Sequence, residues 1–364
     1  MIVDSTTAPL AVARRKLYAI AGGGPKSGDV RLARLTTAQR IEYFRSAEFR
    51  HWVADEISQG RKVFWLKDVD KTQAAGDVFT FFFWWRVANN KLSAQQLEIV
   101  ERYLLKRKNI GFRALHTLLG LLPASWKPRF ESLSPREIQR LWLQKEEGGE
   151  GIGLLDFWSN IYWPSQLGMT ETEKLSQVQE FAPTYADRVF PGVPEENRAL
   201  EDAGVHVVIV SNGDQELAIA ASPILGVKPE NVVGSHLEYD AKTGLSTGVN
   251  HSYEVYDRKW DVRPQPGKTL SFHYWLYMNR QRLGWEHIDE DEIVIAGRDG
   301  DSASSDGGMM ITMPPFAALG NFMVDVPGEP ARVKNFFYVA DRYGWGKGKF
   351  FTLVQSAPAK GRLP

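Results

Sequence analysis

Short apolar runs that end abruptly in polar residues constrain this chain more than any other feature. Val63–Leu66, Val205–Val210, Ile293–Ala296 and Phe322–Val326 are such runs. They do not alternate apolar with polar, so they read as strands covered on both faces, the pattern of a parallel sheet. Helical spacing fills the intervals. One helix follows Ser211–Asp214 to about Leu225, and another opens at Pro266-Gly267-Lys268-Thr269 and carries apolar positions to about Leu283. A third bears Met309, Met310 and Ile311. Asn231–Tyr239, a turn at Asp240–Gly244 and Leu245–Gly248 predict a strand and hairpin. Strands alternating with helices predict an α/β fold with right-handed crossovers.

The interval 74–189 differs in character. Leu97, Val100, Leu104 and Leu105 recur at helical spacing, as do Leu115, Leu118, Leu119 and Leu122 until Pro123 stops them. Ser134-Pro135-Arg136-Glu137 resembles a capping box. The segment is rich in aromatics and has no convincing strand, so it reads as a helical cap inserted into the sheet domain. The expected organisation is an N-terminal extension (1–60), a core built from 61–73 and 190–330, the cap (74–189), and a tail (331–364) lying on the core. Within the extension, Gly22–Pro25 reads as a connector, because it lacks the Gly-Lys-Ser/Thr ending of a phosphate loop. Ile41, Phe44, Phe49, Val53 and Ile57 have helical spacing.

The strand ends carry the chemistry. Val63–Leu66 leads into Lys67-Asp68-Val69-Asp70-Lys71-Thr72; Val205–Val210 ends at Ser211-Asn212-Gly213; Ile293–Ala296 leads to Asp299, Asp301 and Asp306. Lys268 stands at a predicted helix start. In an open parallel sheet these ends lie along one edge, where ligands bind. Close carboxylates make a hard oxygen site for Mg²⁺, and one of them can attack phosphorus. A carboxylate nucleophile, a hydroxyl donor, a cation and a second acidic pair are the parts phosphoryl transfer requires. Each alone also reads as an ordinary turn, cap or surface charge.

In that order, the four stretches resemble the motifs of the haloacid dehalogenase superfamily of phosphatases. Asp68-Val69-Asp70-Lys71-Thr72 is similar to the first motif, Asp-x-Asp-x-Thr. Ser211 matches the second, Lys268 the third, and Gly300-Asp301 through Asp306 the fourth in its longer-spaced form. The hairpin resembles the phosphoserine-phosphatase-like branch; within it, the fourth motif and large cap are most similar to phosphorylcholine phosphatases.

The resemblance implies a Rossmann-like core with an inserted cap. It implies Asp68 as nucleophile, forming an aspartyl-phosphate, and Asp70 as acid and then base. Thr72, Ser211 and the backbone of Asn212 and Gly213 would bind phosphate, with Lys268 neutralising charge. Mg²⁺ would sit on Asp68, Asp301 and the Asp70 carbonyl, and Asp306 would hold the ion's waters or orient Lys268. Two departures stand out. Lys67 occupies a position usually apolar, and Lys71 one usually Gly or Asn. These lysines either draw anionic substrates towards Asp68 or are solvated surface charges. Asp299, two before Asp301, offers a rival ligand by register.

The reaction this implies is Mg²⁺-dependent hydrolysis of a small phosphorylated metabolite. Transfer to an alcohol or sugar acceptor, or a non-catalytic binding role on a degenerate fold, are the alternatives. Lys+Arg and Asp+Glu both number 44, which gives no electrostatic case for nucleic acid or an anionic membrane. With no cysteine there is neither a disulfide framework nor a thiolate site. The apolar stretch Phe79–Trp85 falls far below the roughly 18 residues of a membrane span. Near the N-terminus Leu10–Ala13 precedes Arg14, Arg15 and Lys16, the reverse of a secretory signal, so a cytoplasmic protein is expected.

Overall fold

A computed structural model describes residues 9–21, 34–96, 157–250, 267–302, 306–311, 317–327, 330–342 and 350–358. The helices expected at 97–105 and 115–122, the capping box at 134–137 and the Gly22–Pro25 break lie outside them.

The strands are β1 (Arg34–Thr36), β2 (Lys62–Lys67), β3 (His206–Asp214), β4 (Val232–Tyr239), β5 (Ser246–Asn250), β6 (Ile293–Gly300), β7 (Gly320–Asp325) and β8 (Phe350–Val354). They form one sheet in the order β1-β8-β7-β6-β2-β3-β4-β5. Every pairing from β1 to β4 is parallel. The fold is thus α/β around a largely parallel sheet, as the apolar runs predict. The chain builds outwards from β2, with β3 on one side and β6 on the other. That is the topological switch point at which open sheets bind ligands.

β2 shows why the run folds this way. Val63, Phe64, Trp65 and Leu66 are all fully buried. Val63 and Trp65 join one apolar cluster with Val207 and Ile209 of β3. Phe64 and Leu66 join another with Val208 and Val210. Alternate residues of an extended chain point to opposite faces, and here both faces meet a core. Each such side chain stabilises the fold by about 1.5–3 kcal/mol.

The sequence reading takes Phe322–Val326 as the last strand, and the structure corrects this. Phe350–Val354 forms β8 beside β7, and Phe351 stacks on Phe322 with ring centroids 5.0 Å apart. β1 then pairs with β8. Residues before 61 therefore also enter the sheet. Thr36 starts the helix Thr37–Arg45 with a reciprocal capping box to Gln39, and Ser46 caps the helix Ala47–Ser58.

The chain divides into two compact units: Met1–Val78, Ala182–His236 and Asn250–Pro364 in the first, Phe79–Phe181 and Leu237–Val249 in the second. The first holds the strand ends of interest. There the two chain crossings run side by side. The Ala75 amide donates to the Arg188 carbonyl at 2.9 Å, and the Phe190 amide donates to the Gln73 carbonyl at 3.0 Å. In the second unit, Gly168 and Ser246 pair through their backbones, and Arg86 is buried among Gln96, Ser165, Met169 and Gln177. Among the described residues no helix is long and apolar enough to cross a membrane.

Candidate active site

Asp68 follows β2 directly and is 5% exposed. Its amide donates to the Asp299 carbonyl of β6 at 3.1 Å, so the sheet carries on to the nucleophile candidate itself. The chain then turns sharply: the Val69 carbonyl accepts from the amides of Thr72, Gln73 and Ala74. The turn needs a left-handed residue, and Lys71 supplies it with φ 59°. Gly or Asn takes that conformation more readily, which is why a lysine looked out of place there. Its ammonium offsets the strain by pairing with Asp77 at 2.8 Å. Asp70, inside the turn, accepts from the Val78 amide at 2.7 Å.

Lys268, 1% exposed, links the motifs. Its Nζ lies 2.6 Å from Asp68 Oδ1 and 2.6 Å from Asp306 Oδ1. The other oxygen of Asp306 accepts from the amides of Asp301 and Ser302 at 2.8 and 2.9 Å. Asp306 thus orients the lysine and ties down the loop after β6. Gly300 makes this approach feasible, since a Cβ there would stand 2.5 Å from that of Asp306. Asp68, Asp301 and Asp306 each bring one carboxylate oxygen within 4.8 Å of the others. Among the described residues, three buried carboxylates with no imidazole or thiolate form this group, which suits a hard divalent cation such as Mg²⁺. Both oxygens of Asp306 are engaged, one with Lys268 and the other with the loop amides.

Burial pushes Asp68 up to about 6; Lys268 opposes the rise and Asp306 adds to it. Burial also pushes Asp301 up to about 7, against the pull of Arg332. Asp70 is raised well above the carboxylate range by burial and by the Asp77 and Asp68 carboxylates. Burial alone would lower Lys268, but Asp306 and Asp68 outweigh it and keep the ammonium charged.

The remaining expected residues lie at the neighbouring strand end. Ser211 Oγ accepts from the Gly213 amide at 2.9 Å, and the Asn212 carbonyl accepts from Ser235. Thr72 Oγ1 is buried without a hydrogen-bond partner among the described residues, and so is Asn212 Oδ1.

The reading of Lys67 and Lys71 as solvated surface charges is overturned, because each is buried against carboxylates. Lys67, 2% exposed, reaches Glu196 Oε1 at 2.6 Å and Asp299 Oδ2 at 3.4 Å. That pairing also removes Asp299 as a rival metal ligand. Two residues escaped the sequence reading. Arg332, from the helix Pro330–Arg342, pairs with Asp301. Buried Tyr185 has its phenol proton held more tightly than usual by desolvation, with the Asp70 and Asp77 carboxylates adding to it. Neither follows an apolar strand, so no strand-end pattern marks it.

In the second unit, several aromatic rings surround a cation of the chain itself. Buried Lys174 lies 5.1 Å from the Phe82 ring, 5.8 Å from Tyr162 and 5.9 Å from Trp163, with its ammonium on Gln166. Trp84 stacks on Phe157, and Trp85 on Phe82.

No family model matches the sequence, and no curated protein does. Solved structures do resemble it. A conserved protein of unknown function from Anaerococcus prevotii shares 13% identity over 84% of this chain and 90% of its own, with a TM-score of 0.45. Cytosolic 5'-nucleotidase IIIB bound to cytidine shares 14% over 86% and 91%, at 0.39. A phospho-aspartyl intermediate analogue of phosphoserine phosphatase shares 13% over 82% and 95%, at 0.35. Likeness of this degree says nothing of substrate.

Proposed function

We propose that this chain is a phosphatase of the haloacid dehalogenase type, hydrolysing a small organic phosphomonoester through an aspartyl-phosphate. One observation carries the reading: Lys268 stands 2.6 Å from both Asp68 and Asp306, in a carboxylate group that Asp301 completes. Residues some two hundred positions apart make one compact site, and a sheet needs no such grouping for stability. Asp68 and Asp301, with the Asp70 carbonyl, would hold Mg²⁺. Bound there, the ion would neutralise charge on the phosphoryl oxygens.

The chain's own groups divide the remaining work. An Asp68 carboxylate oxygen attacks phosphorus while the bond to the leaving oxygen breaks. Asp70 delivers its proton to that oxygen. Its raised affinity for a proton suits the role. Asp70, now a carboxylate, takes a proton from water as the water oxygen attacks phosphorus and the Asp68–phosphorus bond breaks. Lys268 balances charge on Asp68 and the phosphoryl group throughout. The Ser211 hydroxyl, its oxygen held by the Gly213 amide, steadies a phosphoryl oxygen.

Hydrolysis of p-nitrophenyl phosphate with Mg²⁺ tests the proposal. Wild type should turn over and should retain acid-stable label from a ³²P-phosphoester. Asp68→Asn should do neither. Unchanged turnover in that variant would overturn the mechanism, and so would full activity after exhaustive chelation for the metal.

A further inference from the structure

Next to the site lies a second set of charges that the reaction does not use. Arg40, Lys67, Glu196 and Asp299 are each no more than 2% exposed. Arg40 Nη2 lies 2.9 Å from Glu196 Oε1 and 2.9 Å from Asp299 Oδ2. Lys67 Nζ meets the same two carboxylates, and the Trp65 indole donates to Asp299 Oδ1 at 3.0 Å. The Arg40 guanidinium packs over the rings of Phe322, Trp65 and Phe44 at 4.6, 5.0 and 5.4 Å. Two cations balance two anions, drawn from β2, β6 and the helices Thr37–Arg45 and Val193–Asp202.

Buried ion pairs are weak stabilisers, because desolvation cancels much of their attraction, and an apolar cluster would serve as well. What charge pairs add is register. β2 is apolar on both faces, so burial alone does not choose between pairings one residue apart; shape does so at Gly297, over which the Trp65 ring lies, and charge does so at Lys67. β2 and β6 do shift register, between Phe64 and Trp65: Phe64 faces Ile295, whereas Trp65 faces Gly297. Past the shift, Lys67 faces Asp299. Asp68 begins one residue later and Asp301 two residues later, so any error there is passed to both.

We propose that Lys67 is a positioning residue: its pairing with Asp299 and Glu196, completed by Arg40, sets the register of β2 against β6 and thereby the spacing of Asp68 from Asp301. The inference deepens the phosphatase reading and rests on it for its kinetic arm only. A residue of the N-terminal segment, Arg40, then belongs to the support of the site.

The test compares Lys67→Met, which breaks the charge balance, with Lys67→Met/Glu196→Gln, which leaves one cation facing one anion, and with Lys67→Arg. Melting temperature and circular dichroism report folding. Mg²⁺ affinity by calorimetry, kcat and KM for p-nitrophenyl phosphate, and a crystal structure of the double variant report positioning. We expect the double variant to melt near wild type, yet to lose tenfold or more in kcat with KM within threefold, and to bind Mg²⁺ at least tenfold more weakly. Lys67→Arg should recover most of both. The crystal structure should show the bond from the Asp68 amide to the Asp299 carbonyl displaced. A double variant with wild-type kcat, Mg²⁺ affinity and strand register would overturn the proposal. If wild type itself fails to hydrolyse the ester, the phosphatase reading falls, while register in the double variant still decides this one. Should the double variant not fold, Lys67→Arg decides: unaltered register with tenfold lower kcat would count against it.

Discussion

Two groups of buried charge lie one residue apart along β2, and they are built differently. Arg40, Lys67, Glu196 and Asp299 are balanced, each charge meeting its opposite. Around Lys268 the balance fails. Asp68, Asp70, Asp77, Asp301 and Asp306 stand against Lys71, Lys268 and Arg332. A closed set of charges can serve structure only. A surplus of buried negative charge is costly unless something positive joins it, and it raises the proton affinity of the carboxylates meanwhile. The contrast teaches where to look for a ligand: in the group whose charges do not cancel.

The sharpest attempt to break that contrast is Asp68→Asn. Turnover of an aryl phosphate should fall on the order of 10³-fold or more, as when a nucleophile is removed, with the melting temperature little changed. Lys268→Met should cost on the order of 10²-fold in kcat, since a preorganised cation facing the phosphoryl group is lost.

Acidity gives the next test. Asp68 and Asp301 must shed protons to hold a divalent cation, and they sit near 6 and 7. Mg²⁺ affinity measured by calorimetry should therefore weaken as pH falls from 8 through 7 to 6. The sign for stability is opposite. These folded-state values lie above the unfolded 3.8, so the folded protein holds those protons more tightly. With chelator present, their contribution is complete below about pH 4 and is lost as pH rises through 6 and 7. Melting curves at pH 5 and 8 should show that loss, and Asp301→Asn should flatten it.

Smaller effects sharpen the picture. Arg332 and a divalent ion both draw on Asp301, so Arg332→Ala should strengthen Mg²⁺ binding by up to about fivefold, the factor set by roughly 1 kcal/mol. Lys71→Gly trades left-handed strain against the Asp77 pair, so its melting temperature should move little.

Much of this was legible from the chain alone. Residues that are buried on both faces must be apolar in unbroken runs, so β2, β3, β6 and β7 announce themselves. Polar residues directly after such runs must lie along one edge, so Asp68, Ser211, Asp301 and Asp306 could be named together. Spacing could not say whether Lys67 is solvated or buried. That depends on Glu196 and Arg40, which arrive from helices 129 and 27 positions away. Nor could it find Arg332, Tyr185 or the strand β8, because ion pairs, proton affinities and late strand pairings depend on neighbours in space. Local pattern settled which segments become strands and which polar groups end them; only the closed tertiary structure decided which charges meet, and so which remain to bind something else.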